Sequence, residues 1–370
     1  MMTADVQANQ PPAPARTLTT GRLPRLIDVW VALGALVAAA LVFAGFGHLD
    51  YVAGWLALGA VLYLVAIGIL ASIVEGRRWA TDRFVRSLVI VAFLLAIIPL
   101  VSTLWTVVEH GITTLTPQFI FNPEKTQFDR TTFKTVLVAG VWPAIVGTLI
   151  ITGIAALISI PIGLLAAVWL TEYAQPNHPV RKIVTFLVDV MTGIPSIVAG
   201  LFAFALFSLL VGPGTFNGLS AAIALCVLMI PTMVRASEEM IKLVPLELRE
   251  AAYALGVSKW RTIVKVVLRT SVAGLVTGAM LAIARVIGET APIYIAAGYT
   301  RTAFNADPLH GAMSTLAVVS FRNYVDPDPT QPAVTQAEAW GSALLLIIIV
   351  VILNLIARLV AARFAPKARR

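Results

Sequence analysis

The chain has 370 residues, 59% of them hydrophobic and 12% charged. Soluble domains carry about a quarter charged residues, so water is not the main solvent of this chain. Its formal charge of +8 would suit nucleic acid or anionic lipid. Membrane proteins, however, collect Lys and Arg in cytoplasmic loops for topological reasons, so membrane lipid is the expected partner and no nucleic acid is implied.

The first 22 residues are polar and hold Pro11, Pro12, Pro14 and Arg16. They lack the apolar stretch of a signal peptide and read as a disordered cytoplasmic tail. Apolar runs long enough for a spanning helix, about 20 residues each, then recur between charged or proline-rich breaks. Eight spans are expected, at roughly 28–47, 52–74, 86–108, 141–170, 183–211, 218–240, 267–297 and 340–362, giving an all-α polytopic transmembrane helical bundle. With the N-terminus inside, 21 of the 27 Lys and Arg fall on the cytoplasmic side. The outside then holds Lys125, Arg130, Lys134, Arg301 and Arg322, and Arg285 alone lies within a span. This asymmetry puts both termini in the cytoplasm. Trp105, Trp142 and Trp340 flank the two long outer loops, 109–140 and 298–339, as interfacial anchors. Cys226 lies in an apolar run and reads as a packing residue, with no internal disulfide possible.

In the fifth span Gly193 and Pro195 are positioned to break the helix, and Ser196 carries a hydroxyl suited to a passing anion. Small residues and hydroxyls of this kind also serve ordinary helix packing. Asp189 lies nearer the cytoplasmic end, where interfacial water can solvate it. Arg235, Glu238 and Glu239 read as a solvated charge cluster at the cytoplasmic mouth.

Between the sixth and seventh spans, Val244 to Arg261 forms a short amphipathic helix with Pro245 at its start and Gly256 at its end. Leu248, Ala251, Ala252 and Leu255 share one face at spacings of three and four, and the two alanines let another surface approach the backbone. The same pattern also suits a helix lying on lipid.

The seventh span contains Arg285 and, four residues on, Glu289, followed by Thr290. An intramembrane arginine is costly unless it faces protein or water, and it commonly marks a substrate path. A planar guanidinium gives a tetrahedral oxyanion two parallel charge-assisted hydrogen bonds. At a helical spacing of four, Glu289 is expected on the face of Arg285, either as an internal ion pair that lets the helix insert or as a competitor that keeps an anion loosely held. Thr290 adds a hydroxyl. No phosphate-binding Gly-x-x-x-x-Gly-Lys-Ser/Thr run occurs, and the four histidines, His48, His110, His178 and His310, fall in separate loops. Neither a nucleotide site, a metal site nor a catalytic constellation is therefore expected in this chain.

Glu250-Ala251-Ala252, three residues, Gly256, nine residues and Val266-Val267-Leu268 resemble the EAA loop of ATP-binding-cassette importer permeases. Arg269 stands where many members of that family have proline. The stretch Ala282-Ile-Ala-Arg285-Val-Ile-Gly-Glu289-Thr-Ala-Pro292 is similar to the phosphate-specific branch, the PstA-type permeases. Gly193-Ile-Pro-Ser-Ile-Val-Ala-Gly-Leu-Phe202 and Asn354-Leu-Ile-Ala-Arg358 are further matches.

The resemblance implies a type I importer (MetI-like) fold: a six-span core over 86–365 with a coupling helix at about 245–258, preceded by two extra helices within 23–85. It also implies a bacterial cell-membrane subunit that pairs with a PstC-like permease, docks on a PstB-like ATPase dimer and receives phosphate from a PstS-like binding protein. ATP and Mg would be held by the ATPase partner. In the family, the residues matching Arg285 and Glu289 are associated with phosphate passage. The same architecture could serve molybdate or sulfate, and a passive anion channel or carrier without an ATPase is the reading of a different class.

Overall fold

The computed structural model describes residues 23–24, 26–47, 51–129, 133–301 and 303–364. The expected cytoplasmic tail, 1–22, lies outside the described residues, as does 365 at the far end of the expected core. Among the described residues seven helices are long and apolar enough to cross a membrane, and one sharply bent pair brings the number to eight. The chain is thus a multi-pass helical membrane protein. Helices dominate because a backbone in hydrocarbon must satisfy its own N–H and C=O groups along its own segment.

Two compact units divide the described residues, one up to Leu104 and one from Trp105 onward. The first holds α1 (Ile27–Gly45), α2 (Val52–Val74) and most of α3 (Arg77–Gly111). α1 and α2 pack closely: a Cβ on Gly59 would come within 2.8 Å of Leu36 Cδ2. Arg83 ties the three helices at one end, reaching Asp28 of α1 at 2.7 Å and Glu75, just past α2, at 2.6 Å. The Tyr63 hydroxyl donates to Ser87 Oγ at 3.1 Å.

The second unit begins with α4 (Pro117–Phe121) and an antiparallel hairpin of β1 (Pro123–Asp129) and β2 (Lys134–Val141), in the register Lys125↔Val138 and Gln127↔Val136. This hairpin is an addition to the all-helical expectation, built where a loop was read. α5 (Trp142–Val168) continues into a π-helical turn, Trp169–Tyr173. α6 (Pro179–Thr192) and α7 (Ser196–Leu210) stand at 106° to each other, so the fifth expected span is two helices around an elbow at Gly193, Ile194 and Pro195. Proline excludes the preceding residue from the α region, which supplies the break.

α8 (Gly218–Lys242) is the most buried long helix and packs against α5, α6, α7, α11 and α12. Then come α9 (Leu246–Ala254), α10 (Lys259–Thr262), a second π-helical turn, Ile263–Val267, and α11 (Leu268–Ile287). The seventh expected span also breaks. α11 stops at Ile287 and the chain resumes helically only in α12 (Ala291–Ala297). α13 (Leu316–Val325) and α14 (Pro332–Phe364) complete the fold, α14 starting eight residues before the expected 340.

Small residues set the helix crossings, as expected where lipid offers no hydrophobic drive between helices. A Cβ on Gly278 of α11 would meet Ala236 Cβ at 2.9 Å, and one on Gly163 of α5 would meet Met233 Cγ at 2.6 Å. Cys226 is buried and donates weakly to the Ala155 carbonyl at 3.7 Å, which agrees with a packing role.

Candidate functional site

Three polar assemblies occur in the second unit. The outermost surrounds Arg301, which bonds Glu124 at 2.9 Å and Asp328 at 3.2 Å. Glu124 is almost fully buried and hydrogen-bonded to Glu338 of α14, which in turn accepts from Asn323 Nδ2 at 3.0 Å. Burial pushes the Glu124 carboxyl above the ordinary carboxylate range, against the pull of Arg301. Tyr299, half-buried beside this knot, has its phenol pushed up to about 12 by the same desolvation. Arg322 pairs with Asp326 at 3.1 Å and donates to Tyr294 Oη at 3.1 Å.

The middle assembly centres on Arg285. Its guanidinium donates through Nη1 to Thr232 Oγ1 of α8 at 3.0 Å and is otherwise exposed on this chain. Thr232 lies ten residues before the end of α8 at Lys242, so the pair sits about 15 Å from that end, half of a hydrocarbon core roughly 30 Å thick. Arg285 therefore meets α8 well inside that helix rather than at its end.

The expected ion pair with Glu289 is not formed. α11 ends at Ile287, two residues before Glu289, so the helical spacing of four no longer sets their directions. Among the described residues no ion pair joins them. Glu289 and Thr290 occupy the break between α11 and α12 and are half-buried. Non-helical backbone at this depth is tolerated where protein covers it or where it lines a cavity.

Ser196 opens α7, half-buried and four residues before Gly200, hence on the same helix face. Gly200 is pressed against α12, where an added Cβ would lie 2.6 Å from Pro292 Cα. Ser196 and the 288–290 break thus belong to adjoining turns of packed helices. Sequence reasoning missed Thr232. Its only signal was its place six residues after Cys226 in a span with few other polar groups.

The innermost groups differ from expectation. Glu238, expected as solvated, is 4% exposed and bonded to Arg235 Nη1 at 2.7 Å; Glu239 alone of the two is exposed. Arg235 Nη2 also donates to Asp189 of α6, so the elbow helix is tied to α8 by charge.

Beyond the end of α8, Glu250, Ala251 and Gly256 in and just after α9 are exposed, while Ala252 is buried. The expected common face is split: Leu248, Ala251 and Leu255 point outward, Leu255 at 84% exposure, and Ala252 points in. Gly256 takes φ +74°, the left-handed cap after α9, and its N–H donates to the Tyr253 carbonyl at 2.9 Å.

Arg249, unremarked in the sequence, holds the helix down. It bonds Glu172 in the first π-helical turn at 2.9 Å, the Val244 carbonyl at 2.6 Å and the Ile241 carbonyl at 3.0 Å. Ile263 and Val267 of the second π-helical turn pack with Ala167, Val168, Ile241 and Val244 in a small core, and Glu172 of the first turn holds Arg249. No group of three or more His, Cys, Asp or Glu able to hold a metal occurs among the described residues.

Residues 159–370 match the family described as binding-protein-dependent transport system inner membrane component. Over 279 residues the chain is 41% identical to the phosphate transport system permease protein PstA 1 of Mycobacterium tuberculosis strain CDC 1551 / Oshkosh, covering 75% of this chain and 87% of that protein. It is 38% identical to PstA of Mycobacterium leprae over 270 residues, 71% and 83% of the two chains. It is 37% identical to PstA of Yersinia pestis over 224 residues, 60% and 73% of the two chains. A solved structure of the inward-facing MetNI methionine ABC transporter aligns with a TM-score of 0.48 at 20% identity, over 61% of this chain and 95% of that one.

Proposed function

The chain belongs to the PstA family of binding-protein-dependent transport system inner membrane components, and from that premise we propose that it forms half of an ATP-driven path for inorganic phosphate across a bacterial cell membrane. As a permease subunit it performs no catalysis itself. A PstC-like permease supplies the other half of the path, a PstS-like binding protein delivers phosphate from outside, and a PstB-like ATPase dimer, holding ATP and Mg, drives the cycle from the cytoplasm. Both termini lie on the ATPase side.

One observation supports the anion path: Arg285, on one spanning helix, has a neutral hydroxyl from a second spanning helix as its partner. A guanidinium has five N–H donors, and here one of them is used within the chain. A charge in hydrocarbon with spare donors needs an anion or water beside it, and its exposed side is where a second permease would close the path. The break at Gly288, Glu289 and Thr290 adds polar groups next to it without a carboxylate locked on the arginine. Phosphate can then be held briefly and released, as a transport site requires. At the cytoplasmic end, the exposed face of Leu248, Ala251 and Leu255 fits a groove on the ATPase, and Arg249 passes its displacement to α5 and α8.

Phosphate uptake into proteoliposomes holding the full complex tests this. Arg285→Gln removes charge-assisted hydrogen bonds worth about 1.5–3 kcal/mol each and is expected to cut uptake at least tenfold while the ATPase still co-purifies. Wild-type uptake in that variant excludes Arg285 as a substrate residue. Competition by molybdate or sulfate equal to that by phosphate would reassign the anion.

A further inference from the structure

Arg235 lies three residues after Thr232 on α8, so the two share a face, about 4.5 Å apart along the axis. Thr232 anchors the Arg285 guanidinium. A second guanidinium therefore stands roughly one turn below the first, on the cytoplasmic side. Its donors are divided between unequal partners. Glu238, on the same helix and with its side chain 6% exposed, is a fixed partner at 2.7 Å. Asp189 comes from α6 and its side chain is 59% exposed. Lys242 approaches Glu238 from the far side at 3.8 Å, which further commits Glu238 to the protein.

The helix carrying Asp189 is the one before the 106° elbow, and it meets α8 through adjacent contacts: Val188 packs with Val234 and Leu170, and Asp189 bonds Arg235. An exposed ion pair of this kind adds little stability, so it can be exchanged at little cost. Phosphate, with up to two charges and several acceptor oxygens, is the stronger partner for a guanidinium than one carboxylate.

We propose that Arg235 is a second, inner station for phosphate and that Asp189 is its removable counter-ion. Phosphate leaving Arg285 displaces Asp189 from Arg235. The return of Asp189, carried by α6, then expels phosphate to the cytoplasm. The inner station rests on the reading of Arg285 as a substrate residue and extends it by one turn.

The complete complex is compared as wild type, D189N, R235Q and the double variant. Two readouts are used: ATP-driven uptake of labelled phosphate by proteoliposomes, and equilibrium binding of labelled phosphate by the nucleotide-free complex in detergent. R235Q is expected to lower uptake about tenfold or more, the loss of a hydrogen bond to a charged group. D189N, which keeps the arginine and frees one edge of it, is expected to retain phosphate several-fold more tightly and to turn over more slowly. The double variant should match R235Q in both readouts.

A merely structural ion pair gives the opposite pattern, because neutralising both partners restores uptake toward wild type. That rescue overturns the proposal, as does unchanged phosphate binding in D189N. Should R235Q fail to assemble with the ATPase, D189N decides alone. Retained uptake in Arg285→Gln strikes the path itself, whereas a dead Arg285→Gln beside an unaffected D189N strikes only the inner station.

Discussion

Arg301 and Arg285 are the same side chain provided for in opposite ways. Arg301, at the outer end, lies between Glu124 and Asp328, and Glu124 continues through Glu338 to Asn323, joining β1, α13 and α14. Arg285 has a threonine hydroxyl from one neighbouring helix. Buried charges are stable when paired and hydrogen-bonded. The knot around Arg301 meets that condition, and Arg285 leaves it open. A transporter needs both: a fixed frame where the chain must keep its shape, and unsatisfied bonding capacity where cargo must come and go.

Exchanging the roles of the two arginines is the largest perturbation. Arg301→Met leaves Glu124 and Glu338 buried without their counter-charge, and removal of one partner of a buried pair costs about 3–5 kcal/mol. A marked fall in the thermal stability of the purified complex is expected, with the phosphate dependence of uptake unchanged in the surviving fraction. Arg285→Met should do the reverse, leaving stability near wild type and uptake lost. If Arg301→Met instead alters the half-saturating phosphate concentration and Arg285→Met unfolds the protein, the distinction between frame and path is wrong.

Arg249 belongs to the frame by its bonding and to the moving parts by its place. Arg249→Ala severs α9 from Glu172 and from the last carbonyls of α8, at about 3 kcal/mol, the lower end for a buried pair because this one borders water. ATP hydrolysis is expected to continue while phosphate uptake falls, so the ATP consumed per phosphate rises. An unchanged ratio would remove Arg249 from the coupling route.

These contrasts were only partly legible in the sequence. The spans were readable because about 20 apolar residues in a row have few other uses, and the cap at Gly256 because a glycine after an amphipathic run has a conformational reason. The α6–α7 elbow was foreshadowed by Gly193 and Pro195, although its angle was not. Glu289 was misdirected by a spacing argument that holds only while the helix continues, and α11 ends at Ile287. Glu238 looked solvated because a carboxylate near a span end usually is, and only packing of α8 within the bundle buries it. The partners of Arg301 come from residues 124 and 328, a separation no local pattern encodes. β2 was hidden because the run Thr135 to Val141, rich in β-branched residues, abuts the apolar start of α5.

The knot around Arg301 also carries a pH signature. Burial holds the Glu124 carboxyl above its ordinary range, so the folded state favours the protonated acid. A raised folded value gives stability that is complete below the ordinary carboxyl range and is lost as pH climbs through the raised one. The thermal midpoint of the complex should therefore fall with increasing pH. Glu124→Gln removes this titration and should flatten that fall. A slope identical in wild type and Glu124→Gln would mean that another group carries the pH dependence.

The smallest effect separates the shape of the coupling helix from its bonding. Gly256 holds φ +74° with open space around its Cα, so an added methyl meets no neighbour and only backbone strain is tested. Left-handed backbone costs a non-glycine residue about 1–2 kcal/mol, and Gly256→Ala should shift stability by that amount. Strain at the cap tilts the exposed face of Leu248, Ala251 and Leu255, so the affinity for the ATPase should weaken in step. Gly256→Asn, which tolerates this conformation, should recover most of both. Recovery of stability without recovery of ATPase binding would show that the partner needs the bare glycine surface itself, and would place Gly256 among the docking residues rather than among those that merely shape the helix end.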